Sequence, residues 1–138
     1  MDTLLSTGAI PAQDTGYNID TSVKLEADNS EFFSRTPDSN SNRQTFTFST
    51  WIKRTELGGV NAILEAFQDG SNFFIVGIQN SDELIVYDIN SGTDYGYKYT
   101  RLFRDTAAWY HIVFKSDTTN GTAASRWQVY VNGVEITS

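Results

Sequence analysis

From Val23 onward the chain alternates short runs of Val, Ile, Phe, Tyr, Trp and Thr with clusters of Asn, Asp, Gly and Ser. Branched and aromatic side chains suit a pleated, half-buried surface, and turn formers recurring at this spacing interrupt any helix before it gains useful length. The pattern predicts an all-β sandwich or barrel. Strands are expected at Thr45 to Lys53, Asn61 to Gln68, Asn72 to Gln79, Glu83 to Ile89, Thr93 to Phe103, Trp109 to Lys115, Arg126 to Val131 and Val134 to Thr137. Asp69-Gly70-Ser71 and Asn90-Ser91-Gly92 are expected as turns between neighbouring strands. Asn132-Gly133 predicts a type I′ hairpin, because both central residues of that turn need positive φ. In the first strand Phe46, Phe48, Thr50 and Ile52 fall on one side, and Thr45, Thr47, Ser49, Trp51 and Lys53 on the other. Both sides are expected to be at least partly buried.

Met1 to Thr21 mixes Gly8, Pro11 and Gly16 with small polar residues and shows no periodicity, so it reads as an irregular N-terminal arm. Residues 22–138 read as one domain, since no Pro-rich or Gly/Ser-rich linker divides them. A globular chain of this size buries roughly two-thirds of its unfolded surface around a single core. The formal net charge of −7 argues against nucleic acid as a partner, because a phosphate-binding surface needs clustered Lys and Arg. With no cysteine there is no disulfide framework, thiolate metal site or thiol nucleophile. The longest apolar run, Phe73 to Ile78, is too short to span a bilayer, and the N-terminus lacks the basic start and apolar run of a signal peptide. Membrane insertion is not expected.

Two segments carry a family resemblance. Phe103-Arg104-Asp105-Thr106-Ala107-Ala108-Trp109-Tyr110-His111-Ile112-Val113-Phe114, followed by Trp127-Gln128-Val129-Tyr130-Val131-Asn132-Gly133, resembles the core of laminin-G-like and pentraxin-like jelly rolls of the concanavalin A-like class. Phe33-Ser34-Arg35-Thr36-Pro37 together with Asn42 to Arg54 is similar to the opening of the version found in tail and other structural proteins of marine phages. The resemblance implies a two-sheet antiparallel β-sandwich. It implies a non-enzymatic virion structural or host-receptor-binding module that faces carbohydrate, assembled in the bacterial cytoplasm. A bacterial carbohydrate-binding or adhesion domain, extracellular in location, is the alternative. Domains of this family continue past the Asn-Gly hairpin with several more strands, so the resemblance also implies a sandwich lacking its last strands. Contact with other virion proteins or self-association, as a homo-oligomer such as a trimer, would then cover the open sheet.

Within that frame several residues are candidates for chemistry. Glu26, Asp28 and Glu31 match the E-x-D-x-x-E spacing of laminarinase-type glucanases that share the fold, where carboxylates on one strand face act as nucleophile and acid/base. Asn29 and Ser30 between them are turn formers, so Asp28-Asn29-Ser30 reads as a break between two strands and catalysis is not expected. The single histidine, His111, has no Cys or His partner for a zinc site and reads as a structural residue of the sheet. Loops bearing Asp69, Asn72, Asp117 and Asn120 offer hard oxygens of the kind Ca²⁺ takes, although Asp and Asn are also the ordinary residues of β turns. No other cofactor is expected. Strand alternation puts Tyr95, Tyr97, Tyr99 and Arg101 on one face, either as a platform that stacks on a cell-surface glycan or as packed inner face. Trp51, Trp109 and Trp127 sit inside strong strands and are expected to pack in the core or at its rim.

Overall fold

The computed structural model describes residues 21–138. The expected N-terminal arm, Met1 to Thr21, therefore lies almost wholly outside the described residues. Ser39–Ser138 form one compact unit, and the residues up to Asp38 belong to another. Among the described residues of that first unit the regular structure is one 3₁₀ turn, Ala27–Asn29, closed by the Glu31 carboxylate accepting the backbone N–H of Glu26 at 2.8 Å. The two strands expected on either side of Asp28-Asn29-Ser30 are not formed, because neighbouring backbone groups bond within the turn rather than to a partner strand.

In the second unit nine strands are described: β1 (Thr45–Lys53), β2 (Asn61–Asp69), β3 (Asn72–Ile78), β4 (Glu83–Asn90), β5 (Thr93–Asp94), β6 (Tyr97–Leu102), β7 (Trp109–Asp117), β8 (Trp127–Val131) and β9 (Val134–Ile136). They form the expected two-sheet antiparallel sandwich. One sheet has the order β1-β7-β8-β9, and the other runs β2-β3-β4 with β5 and β6 sharing the far side of β4. The turn chemistry explains the register. Asn132 and Gly133 adopt φ of 53° and 80°, as the type I′ hairpin between β8 and β9 requires. The expected strand Thr93 to Phe103 is broken at Tyr95-Gly96, where the Asp94 carboxylate accepts the Gly96 N–H at 2.7 Å and pulls the backbone out of the ladder.

The core is built from inward-facing residues of both sheets. Val76, Leu84, Val86 and Tyr99 from one sheet meet Ile112, Phe114, Val129 and Val131 from the other, all fully or nearly fully buried. Aromatic rings fill one end. Phe46, Phe74 and Phe114 lie with centroids 5.7 to 6.4 Å apart, and Trp127 meets Phe74 and Tyr97 edge-on. Phe114 is fully buried, which contributes roughly 1.5–3 kcal/mol, and the partly buried rings around it contribute less. Trp127 is thus the packed residue expected of it.

The opposite end is held by charge. Arg54, next after β1, is buried and donates Nη1 to the Asp82 carboxylate at 2.8 Å and to the Phe103 carbonyl at 2.7 Å. The other oxygen of Asp82 accepts Arg104 Nε at 3.0 Å. Three segments, one from the first sheet and two flanking the second, are tied by these bonds. The Nε and Nη2 of Arg54 have no partner among the described residues, so the buried cation depends on Asp82 for its compensation.

Candidate functional site

The two sheets treat solvent differently. In β3 and β4 successive residues of both parities are buried, including Ile75 and Ile85 as well as Val76 and Val86. In β1 and β7 burial alternates strictly, and the odd-numbered residues of both strands are exposed or only partly buried. This corrects the expectation that both sides of Thr45 to Lys53 are at least partly buried. Only the Phe46, Phe48, Thr50 and Ile52 side is shielded, and then partly.

The unbroken registers lay out that outer face as cross-strand rows. Lys53 lies opposite Trp109, Trp51 opposite His111, and Ser49 opposite Val113, which in turn lies opposite Tyr130. Trp51 is 52 % and Trp109 48 % exposed, which overturns the expectation that these two pack in the core or at its rim. Their β-strand parity, odd like that of Ser49 and His111, turns them away from the interior.

The Trp51 ring is held rather than loose. It stacks on the His111 imidazole with centroids 4.9 Å apart and planes 19° from parallel. His111 Nε2 in turn lies 2.8 Å from Ser49 Oγ, and its backbone N–H donates to Asn132 Oδ1 at 2.8 Å. His111 is thus the structural residue of the sheet that was expected, and it also orients an exposed indole. Beyond Tyr130 a polar chain runs from Lys115 Nζ to Gln128 Oε1 at 3.0 Å and from Gln128 Nε2 to Glu135 Oε1 at 3.0 Å. The face therefore combines two half-exposed indoles, a half-buried tyrosine and hydrogen-bonding groups fixed by their neighbours.

The residues singled out in the sequence lie elsewhere. Tyr95 is 59 % exposed and sits at the break between β5 and β6, Tyr97 and Arg101 are half-buried, and Tyr99 is 4 % exposed within the core. They do not make one exposed row, because the β5–β6 break interrupts their alternation and Tyr97 and Tyr99 turn toward Trp127 and the inner face. Burial first, then the neighbouring Tyr97 and Glu135, push the Tyr99 hydroxyl up to about 12, so it stays neutral under ordinary conditions. Tyr97, Tyr99, Trp127, Glu135 and Ile136 line a shallow concavity of about 180 Å³.

Asp69 and Asn72 belong to the β2–β3 hairpin, where Asp69 Oδ1 accepts the Ser71 N–H at 2.8 Å and the Asn72 amide at 3.1 Å. Asp117 accepts the Thr119 N–H and hydroxyl, and Asn120 Oδ1 accepts the Thr122 N–H. Asp69, Asp117 and Asn120 serve their own turns, while Asn72 also joins its turn to the next, its Oδ1 accepting the Ser91 N–H at 3.1 Å. No group of three or more His, Cys, Asp or Glu is placed to hold a metal among the described residues. Glu26 pairs with Lys24 and lies, with Asp28 and Glu31, on or beside the 3₁₀ turn rather than on a strand face.

A sandwich of two antiparallel sheets with one solvent-facing aromatic sheet defines the general class of domain. The family model for the concanavalin A-like lectin/glucanases superfamily matches residues 28–138, and the chain belongs to that superfamily. No curated protein and no solved structure matches it.

Proposed function

We propose that the domain is a non-enzymatic, lectin-like module that holds carbohydrate against the outer face of the β1-β7-β8-β9 sheet, as a structural or host-receptor-binding part of a virion. One observation carries the sugar reading: Trp51 and Trp109 stand half-exposed and diagonal to one another on the outer sheet face, with Trp51 already fixed by His111. Indole rings offer apolar planes that match the C–H faces of pyranoses. A ring immobilised before binding loses little further freedom when the ligand arrives. The superfamily match is consistent with this use, and the likeness of Phe33 to Arg54 to phage structural proteins supports the virion setting. The turn conformation of Glu26, Asp28 and Glu31 favours a binding rather than a hydrolytic role.

The test is capture of the purified protein on a panel of bacterial surface polysaccharides and algal glucans, beside the Trp51→Ala/Trp109→Ala double variant. Wild-type protein is expected to bind at least one glycan without releasing reducing ends, and the double variant to lose capture while keeping its melting temperature. Equal capture by the two proteins would move the site off this face. Antibody labelling of purified phage particles tests the setting.

A further inference from the structure

We infer that the aromatic face selects acidic polysaccharides, those whose pyranose rings carry carboxylate or sulfate groups. This deepens the carbohydrate reading and rests on it. The chain carries 17 acidic against 10 basic residues, so an average patch of its surface is negative. The two cross-strand rows that carry the indoles do not share that excess, and the carboxylate shown on the face, Glu135, lies two strands away on β9. The cross-strand rows that hold Trp51 and Trp109 contain Lys53 and His111 and no Asp or Glu. Lys53 lies directly opposite Trp109 on the exposed face and makes no ion pair among the described residues. Lys115, further along β7 on the same face, gives its ammonium to a neutral partner, the Gln128 side-chain oxygen.

An ammonium with no ion pair among the described residues, beside an exposed indole in an acidic protein, leaves its charge available to a ligand. What it fits is an anionic group on a ring stacked against that indole: the aromatic plane takes the apolar face while the cation takes the equatorial or exocyclic charge. Net negative charge elsewhere repels polyanions in general, so binding needs the stacking geometry as well as the lysine. Arg54, the neighbouring cation in sequence, is buried against Asp82 and takes no part.

The probe is polygalacturonate compared with the same polymer fully methyl-esterified, which keeps the sugar ring and removes the charge. Wild-type protein is expected to bind the acid form about three- to fivefold more tightly at low salt, the range of one exposed ion pair, with the difference shrinking as salt screens it. Lys53→Gln should reduce binding of the acid form to that of the ester and leave the ester unchanged, while Lys53→Arg retains the preference. Equal affinity of wild type for the two polymers, or no effect of Lys53→Gln, overturns the selectivity while leaving the carbohydrate reading in place. Failure to bind either polymer overturns the selectivity too, and the wider glycan panel then decides the carbohydrate reading on its own. Poly-glutamate is the control: if it binds as well as polygalacturonate and survives Trp51→Ala, the lysine is a generic cation and the inference falls.

Discussion

Trp51 and His111 form the smallest unit whose parts explain one another. A stacked imidazole anchored to Ser49 fixes the indole plane, so removing it should loosen the ring without opening the core, because His111 projects from the outer face. His111→Ala is expected to weaken glycan capture severalfold with little change in melting temperature, whereas Trp51→Ala should weaken it about tenfold or more, as for other central aromatic contacts. Binding isotherms beside thermal melts separate the two effects. Asp82 shows the opposite case, a residue that matters for stability alone. The Arg54 hydrogen bond holds its carboxyl below the ordinary value of 3.8, against the upward push of burial, and Arg104 and the Gly58 N–H add to the lowering. A carboxyl with a depressed folded value stabilises the fold above its unfolded value and loses that contribution as pH falls through the folded one. Urea midpoints followed from neutral pH to below the usual carboxylate range should therefore fall more steeply for wild type than for Asp82→Asn. At neutral pH the variant should already be less stable, since Arg54 is left buried with a weaker partner.

At the scale of strands and turns, most of the fold could be read in the residues. Seven of the eight strands expected from Thr45 onward appear within one or two residues of their bounds, because alternating Phe, Ile, Val and Trp between Asn-Gly, Asp-Gly and Ser-Gly turns leaves one register available. The exception is Thr93 to Phe103, whose composition is strand-like throughout. Its break is made by the Asp94 carboxylate turning back to the Gly96 N–H, and Gly96 then sits where β4 leaves no room for a side chain. A Cβ added at Gly96 would lie 2.2 Å from the Tyr87 ring and 2.7 Å from the Val86 carbonyl. Gly96→Ala should accordingly cost about 1–3 kcal/mol in chemical unfolding, the range of overpacking in a tight site. Gly70→Ala, where nothing lies within 4 Å, should stay within about 0.5 kcal/mol of wild type. The exposed aromatic face was harder to foresee for a different reason. Strand alternation separates the two faces of Thr45 to Lys53 but does not say which is covered. Tyr95, Tyr97 and Tyr99 share a face by alternation alone, open to reading as platform or packed inner face, whereas Trp51 and Trp109 become neighbours only through the β1–β7 pairing.

The molecule as a whole separates its candidate sites. Along β7 the exposed Trp109 and the turn-forming Asp117 stand at opposite ends of one strand, eight residues and so about 27 Å apart at the rise of an antiparallel strand. The β2–β3 turn with Asp69 and Asn72 lies toward the Asp117 end, since Phe74 packs on Phe114 and Trp127. Oxygen ligands at that end, if they took Ca²⁺, would act on the far rim of the sandwich and would have no side chain in common with the indole face. The orientation of Trp51 comes from His111, Ser49 and the sheet register, none of which needs a cation. Chelation should therefore leave glycan capture by the aromatic face unchanged, measured as the same isotherm with millimolar calcium and with excess chelator. Loss of capture on chelation, with the fold intact by circular dichroism, would place the sugar at the Asp69–Asn72 and Asp117–Asn120 rim instead. Trp51→Ala would then be expected to bind like wild type, so the two measurements together assign the ligand to one end of the sheet or the other.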